Sequence, residues 1–230
     1  MGIKRLHEQF RRISKNIAYQ RIEKREVKDI IHNHFSFWSE PDHVNRQAFL
    51  EVLNRIAPAP AVIIETGTSA WGTDSTRIWD SYIRRFGGSF HSVDIRKEAS
   101  ADLFGQLSKR TKLHVADSVD FLERNLDLNA DVYFLDSWDL DLNDPVPSAE
   151  HGMREFHAIK GNLKSGVILF IDDTPSFDFL KTMTLPNAAQ EFVDKYGSPP
   201  GKGAFVKAYV DEKIKHKVLH HNYSWVIQIL

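Results

Sequence analysis

The 230-residue chain contains no cysteine. Disulfide staples, thiolate zinc sites and cysteine nucleophiles are thereby excluded together. It also lacks any run approaching the about 18 consecutive apolar residues of a membrane-spanning helix. Behind the basic Lys4 and Arg5, where a secretory signal needs its apolar stretch, stand Glu8, Gln9, Arg11 and Arg12. A soluble cytoplasmic protein is the expectation. Nor is there an excess of one charge: 30 basic against 31 acidic residues leave a net of -1, which argues against nucleic acid as the domain's partner. Residues 1–28 are the exception, with nine Lys/Arg against three Asp/Glu. This arm reads as a solvated helix face, with an anionic partner or surface as the alternative.

What is present is a core. An apolar content of 42% and a charged content of 27% describe a folded globular protein. A chain of this length buries roughly 70–75% of its unfolded surface. The first sixty residues carry helical spacing only. Ile3, Leu6, Phe10, Ile13 and Ile17 recur at helical steps, as do Phe49, Leu50, Leu53 and Ile56, until Pro58-Ala59-Pro60 ends the second pattern. We therefore place a helical cap at 1–58 and the main domain at 59–230.

Within the main domain, short apolar runs at 61–64, 89–93, 112–115, 132–135 and 167–171 are of the kind buried on both faces of a sheet. Helical stretches at 75–86, 100–109, 118–126 and 148–163 separate them. Five alternations predict a doubly wound α/β sheet. A helix near 186–195 and strand-like runs at 204–210 and 224–230 follow, the last two read as a terminal hairpin joined through the His-rich 211–221. His216, His220 and His221 would be solvated there.

In such sheets ligands bind beyond the carboxyl ends of the strands. Every parallel run ends in an acid: Glu65, Asp94, Asp117, Asp136 and the pair Asp172-Asp173. Five in five is hard to read as surface decoration. The first loop, Glu65-Thr66-Gly67-Thr68-Ser69-Ala70-Trp71-Gly72-Thr73, has P-loop glycine spacing but a threonine where the phosphate-binding lysine belongs. It fails the dinucleotide G-x-G-x-x-G pattern at Ser69.

From about residue 60 onward the sequence resembles class I S-adenosylmethionine-dependent methyltransferases, particularly the metal-dependent O-methyltransferases that act on small molecules. The resemblance implies a Rossmann-like fold with a mostly parallel seven-stranded sheet, helices on both faces and the N-terminal helical extension. It implies that Glu65, Gly67 and Gly72 hold the methionine part of the cofactor, with Thr68, Ser69 and Ser75 also cofactor-binding and Trp71 stacking on the adenine or walling the substrate pocket. The two glycines are separated by four residues where this branch usually has three. Asp94 would take the ribose, Asp117-Ser118 the adenine, and Asp136 and Trp138 would complete the pocket. The carboxylates suit a cofactor that is cationic at its methyl-donating end.

Asp136, Asp172 and Asp173 end neighbouring strands and would converge on a hard cation, Mg²⁺ by this resemblance. Candidate bases are Asp139, at a position where some relatives carry a lysine, and His151, whose tautomer Glu155 would set. Trp38 reads as a packing contact or part of a lid. The acceptor would be a small-molecule or sugar hydroxyl, and a homo-oligomer is compatible with the sequence. The alternatives are a metal-independent enzyme acting on nitrogen or a macromolecule, and a non-catalytic module of the same fold.

Overall fold

A computed structural model of the chain describes residues 26–69, 73–103 and 105–230. The helical pattern at 3–17, Trp71 and Gly72 lie outside the described residues. Two helices, α1 (Val27–Phe37) and α2 (Arg46–Ile56), lead into β1 (Ala61–Thr66). There follow α3 (Ser75–Phe86), β2 (Gly88–Asp94), α4 (Lys97–Leu103), β3 (Thr111–Val115), α5 (Ser118–Arg124), β4 (Val132–Leu135), α6 (Val146–Ile159) and β5 (Ile168–Ile171). The chain closes with α7 (Phe177–Leu180), α8 (Asn187–Tyr196), α9 (Ala204–Lys213), β6 (His216–His221) and β7 (Trp225–Ile229).

The sheet order is β3-β2-β1-β4-β5-β7-β6. Strands β1 to β5 run parallel; β7 is antiparallel to β5 and β6 antiparallel to β7. The sheet is thus seven-stranded and mostly parallel, as expected.

Because side chains alternate along a strand, β4 and β5 feed two apolar layers. Phe134 and Phe170 face α1, α2 and α3, in a cluster with Phe35, Phe49 and Trp79. The Phe49 ring lies 5.0 Å from Phe170, 5.4 Å from Phe134 and 5.1 Å from Trp79. Leu135, Leu169 and Ile171 face the other way, against Phe156 and Ile159 of α6 and Val206 and Val210 of α9. Both N-terminal helices therefore pack directly on one face of the sheet.

Three expectations need correction. The run at 204–210 is a helix, not a strand: Val206 and Val210 are one helical turn apart and both bury against the sheet. The hairpin is instead formed by β6, whose alternating Lys217 and His216, Val218 and His220 gave no continuous apolar signal, with β7. Its histidines are not solvated either. His216, His220 and His221 are half-buried, and burial lowers the pKa of His220 and His221. The helix expected at 100–109 is the shorter α4, which starts three residues earlier.

Candidate active site

The chain leaves β1 toward one edge of the sheet through β2 and β3, then returns to place β4 on the other side of β1. The crevice opens where this order reverses. There the loop after β1 meets the loop after β4 backbone to backbone. Gly67 sits at φ 86°, and a Cβ on it would fall 2.2 Å from the Asp136 carbonyl oxygen. Only glycine satisfies both conditions.

Glu65 holds this loop from behind. Its carboxylate accepts hydrogen bonds from Ser75 Oγ, Thr76 Oγ1 and Ser92 Oγ, each 2.6 Å. It is fully buried and does not line the cavity described next. Burial pushes its pKa up to about 7, against the pull of the three hydroxyls and with help from Asp74. Thr68 and Ser69 also stand aside, facing a neighbouring depression with Asp74, Arg77 and Arg96. Ser69 Oγ donates to Asp74 Oδ1, 2.6 Å.

A cavity of about 360 Å³ occupies the crevice. Gly67, Asp94, Asp117, Ser118, Asp136, Trp138, Asp139 and His151, all expected from the sequence, line it, together with Arg96 and Ser137. Asp94 closes β2; its Oδ2 accepts the Thr68 N–H at 3.0 Å, and its carboxylate takes the Arg96 guanidinium at 2.7 and 3.0 Å. Burial alone would raise its pKa, but the Arg96 hydrogen bonds and charge and the Thr68 N–H hold it below the usual range. Asp117 caps α5 by accepting the Asp120 N–H. Trp138 is 47% exposed, its ring 5.2 Å from that of His151.

His151 is buried in a relay. Its Nδ1 accepts from Arg154 Nη2 at 2.8 Å, so Nε2 carries the proton and donates to Ser137 Oγ at 2.8 Å. Ser137 Oγ in turn donates to Glu155 Oε1 at 2.8 Å. Glu155 does help to fix the imidazole, though through Ser137. Both imidazole nitrogens are occupied, and His151 lines this cavity.

A second cavity, of about 470 Å³, shares Asp136 and Asp139 with the first. Its other walls are His43, Val44, Asn45, Thr73, Leu140, Asp172, Asp173 and Tyr223. Three of these come from the segment between α1 and α2. That segment and α1 are anchored to the β1 loop: His34 Nε2 of α1 lies 2.6 Å from the Thr73 carbonyl oxygen, and His43 Nε2 lies 3.2 Å from Thr73 Oγ1. Trp38 packs under the Arg77 guanidinium, 4.0 Å away. This agrees with the packing role expected of it.

Asp136, Asp172 and Asp173 do converge, but around an ammonium group. Lys202 is 2% exposed and forms ion pairs with Asp136 Oδ1 and, at 3.0 Å, with Asp173 Oδ2. Tyr223 OH donates to Asp173 Oδ1. Asn45 Nδ2 donates to both oxygens of Asp172, at 2.8 and 2.9 Å. Burial would lower the Lys202 pKa, but Asp136, Asp173 and Asp172 together raise it well above the usual lysine value. Burial and the adjacent Asp173 push Asp172 up to about 6.

Among the described residues no group of three or more His, Cys, Asp or Glu side chains is arranged to hold a metal ion. The acids are hard oxygen donors of the type Mg²⁺ takes. Asp136 Oδ1, both oxygens of Asp172 and both of Asp173, however, already accept from Lys202, Asn45 or Tyr223. The three carboxylates expected from the sequence thus gather, with the Lys202 ammonium between two of them. Lys202, Asn45, His43, Tyr223 and Arg96 were not anticipated from the sequence. For Lys202 a signal existed, since it stands between two glycines in Pro199-Pro200-Gly201-Lys202-Gly203.

No protein-family model matches the sequence, and no curated protein matches it. Solved structures do. MycE, a methyltransferase from the mycinamycin biosynthetic pathway solved with Mg, SAH and mycinamycin VI, superposes with a TM-score of 0.60 at 16% identity over 90% of this chain. The chain spans 55% of MycE's length. A caffeoyl-CoA O-methyltransferase-like protein from Staphylococcus aureus gives a TM-score of 0.56 at 11% identity, over 90% of this chain and 92% of that one. The fold is that of the class I methyltransferases. Among the described residues no helix is long and apolar enough to cross a membrane.

Proposed function

We propose that the chain is an S-adenosylmethionine-dependent O-methyltransferase that acts in the cytoplasm on a small-molecule hydroxyl. The observation that supports this most is the pair of cavities meeting at Asp136 and Asp139. One has the walls a nucleoside with a cationic tail needs; the other opens on the same two carboxylates.

The residues of the first cavity fit the cofactor. Asp94 would hold the ribose hydroxyls, Asp117 and Ser118 the adenine edge, and the close backbone approach at Gly67 the methionine part. Trp138 and the ring face of His151 offer flat surface beside them. When bound, the cofactor supplies a methyl group on a positively charged sulfur. The chain's own task is to hold a hydroxyl in line with that methyl and to accept its proton.

Asp139 is assigned the proton. It is exposed, it lies in both cavities, and none of the side-chain hydrogen bonds described above consumes its oxygens. His151 is assigned to shape the cofactor side, since both its nitrogens are engaged. Asn45, His43 and Tyr223 would orient the acceptor. MycE was solved with Mg, but the acids of this chain as arranged do not fit a divalent ion, and no step is assigned to one.

The test is formation of S-adenosylhomocysteine from S-adenosylmethionine across a panel of hydroxylated acceptors. Asp139→Asn is expected to lower turnover by about 10²–10⁴-fold, the range for loss of a general base. Cofactor affinity should fall far less than turnover, since Asp94, Asp117 and Ser118 are unchanged. Turnover unchanged in the variant would remove the base assignment. Failure of every acceptor with the wild type would move the non-catalytic module to the front.

A further inference from the structure

We propose that the Lys202 ammonium is the resident cation of this acidic site, standing between Asp136 and Asp173 where a divalent ion would have to bind, so that the site works without a metal. The geometry of the loop that carries Lys202 points to a dedicated device. Gly201 lies so close to the β5 loop that a Cβ on it would be 2.1 Å from the Asp173 carbonyl oxygen. A Cβ on Gly203 would meet the Thr174 side chain at 2.5 Å. From the other side, Gly152 of α6 leaves room for the Lys202 carbonyl, which would be 2.2 Å from a Cβ there. The Lys202 N–H donates to the Asp173 carbonyl oxygen at 3.0 Å, and the Gly203 N–H to Thr174 Oγ1 at 3.0 Å. Three glycines thus let the loop press against the acidic turn, and the side chain it delivers is almost wholly buried.

The carboxylates need a counter-charge, because uncompensated buried anions are strongly disfavoured. Lys202 meets that need with a group that cannot diffuse away. Asp173 adopts a left-handed backbone, φ 42°, which aims its carboxylate at Lys202 and Tyr223. Asp172, the one acid not paired with Lys202, turns both oxygens to the Asn45 amide and accepts the Asp173 N–H as well. A divalent ion entering between Asp136 and Asp173 would face the ammonium at contact distance and compete for the oxygens it holds. Lys202 lines neither cavity, so it acts as a positioning residue: it sets Asp136 and Asp173 for whatever the two cavities hold.

This inference shares its site with the methyl-transfer reading, yet the two fail separately, since its readout needs neither cofactor nor turnover. The probe is Mn²⁺, titrated into the full chain and followed by electron paramagnetic resonance and by the melting midpoint. For the wild type the expected result is no site at millimolar Mn²⁺ and a midpoint indifferent to chelator. Lys202→Ser removes the charge and opens space between the acids. It is expected to melt lower, to gain one Mn²⁺ site per chain with recovery of the midpoint, and to lose that site when Asp173→Asn is added. A merely structural lysine would give the lower midpoint without the site, and that outcome overturns the proposal. Tight Mn²⁺ binding by the wild type that Asp173→Asn abolishes overturns it too. Should Lys202→Ser not fold, the wild-type titration decides alone.

Discussion

Asp94→Asn is expected to weaken S-adenosylmethionine binding by about 10–100-fold, the equivalent of one or two charge-assisted hydrogen bonds. Asp94 is the only carboxylate at the end of β2, it faces the cavity of about 360 Å³, and Arg96 together with the Thr68 N–H keeps it ionised. A pair of ribose hydroxyls donates well to a carboxylate. Asparagine has the same shape but turns one acceptor into a donor, which would point at the ribose or at Arg96. Its remaining oxygen still accepts the Thr68 N–H, so the loop should hold its place. The measurement is calorimetric titration of both proteins, with the melting midpoint as the control for folding. A dissociation constant within twofold of wild type would show that the ribose is held elsewhere.

The second large effect is on stability, and it depends on pH. Glu65 has an ordinary pKa of 4.5 and is pushed by burial to about 7 in the folded chain. Between those values the folded chain keeps a proton that the unfolded chain has released. The resulting stabilisation is fully present below the unfolded value and is lost as pH rises through about 7. Each pKa unit corresponds to about 1.4 kcal/mol, so the wild type should be less stable at pH 8 than at pH 5 by on the order of 3 kcal/mol from this group. Asp172, pushed up to about 6 by burial and Asp173, adds a change of the same sign. Glu65→Gln mimics the protonated acid beneath Ser75, Thr76 and Ser92. It is expected to match the wild type near pH 5 and to exceed it near pH 8, as read by urea denaturation at the two pH values. An unchanged pH difference in the variant would mean that Glu65 is ionised in the fold throughout.

Much of this molecule is legible in its sequence, and the limits have physical causes. The central strands announce themselves because they are buried on both faces: Val132-Tyr133-Phe134-Leu135 and Ile168-Leu169-Phe170-Ile171 have no solvent side to mark with a polar residue. The strand-end acids follow from the same topology, and Asp94, Asp117, Asp136, Asp139 and His151, named from the family resemblance and from their places at strand and helix ends, line one cavity. Ala204–Lys213 misled because a helix packed by Val206 and Val210 within an apolar stretch has the local composition of a strand. The partners of the acids were hidden for another reason. Lys202 is 66 residues from Asp136, and Asn45 is 127 residues from Asp172. Which cation or amide a buried carboxylate finds at such separations is a product of tertiary packing. A local pattern shows the charge and not its partner.

The central claim is that the cavity between the β1 and β4 loops is a nucleoside-sulfonium site. Calorimetric titration of the full chain with S-adenosylmethionine, with NAD and ATP as comparison ligands, tests it most directly. The expected result is one site per chain at micromolar affinity for S-adenosylmethionine, no change on adding chelator, and no heat from NAD or ATP. Silence toward S-adenosylmethionine, or preferential binding of either nucleotide, would contradict it.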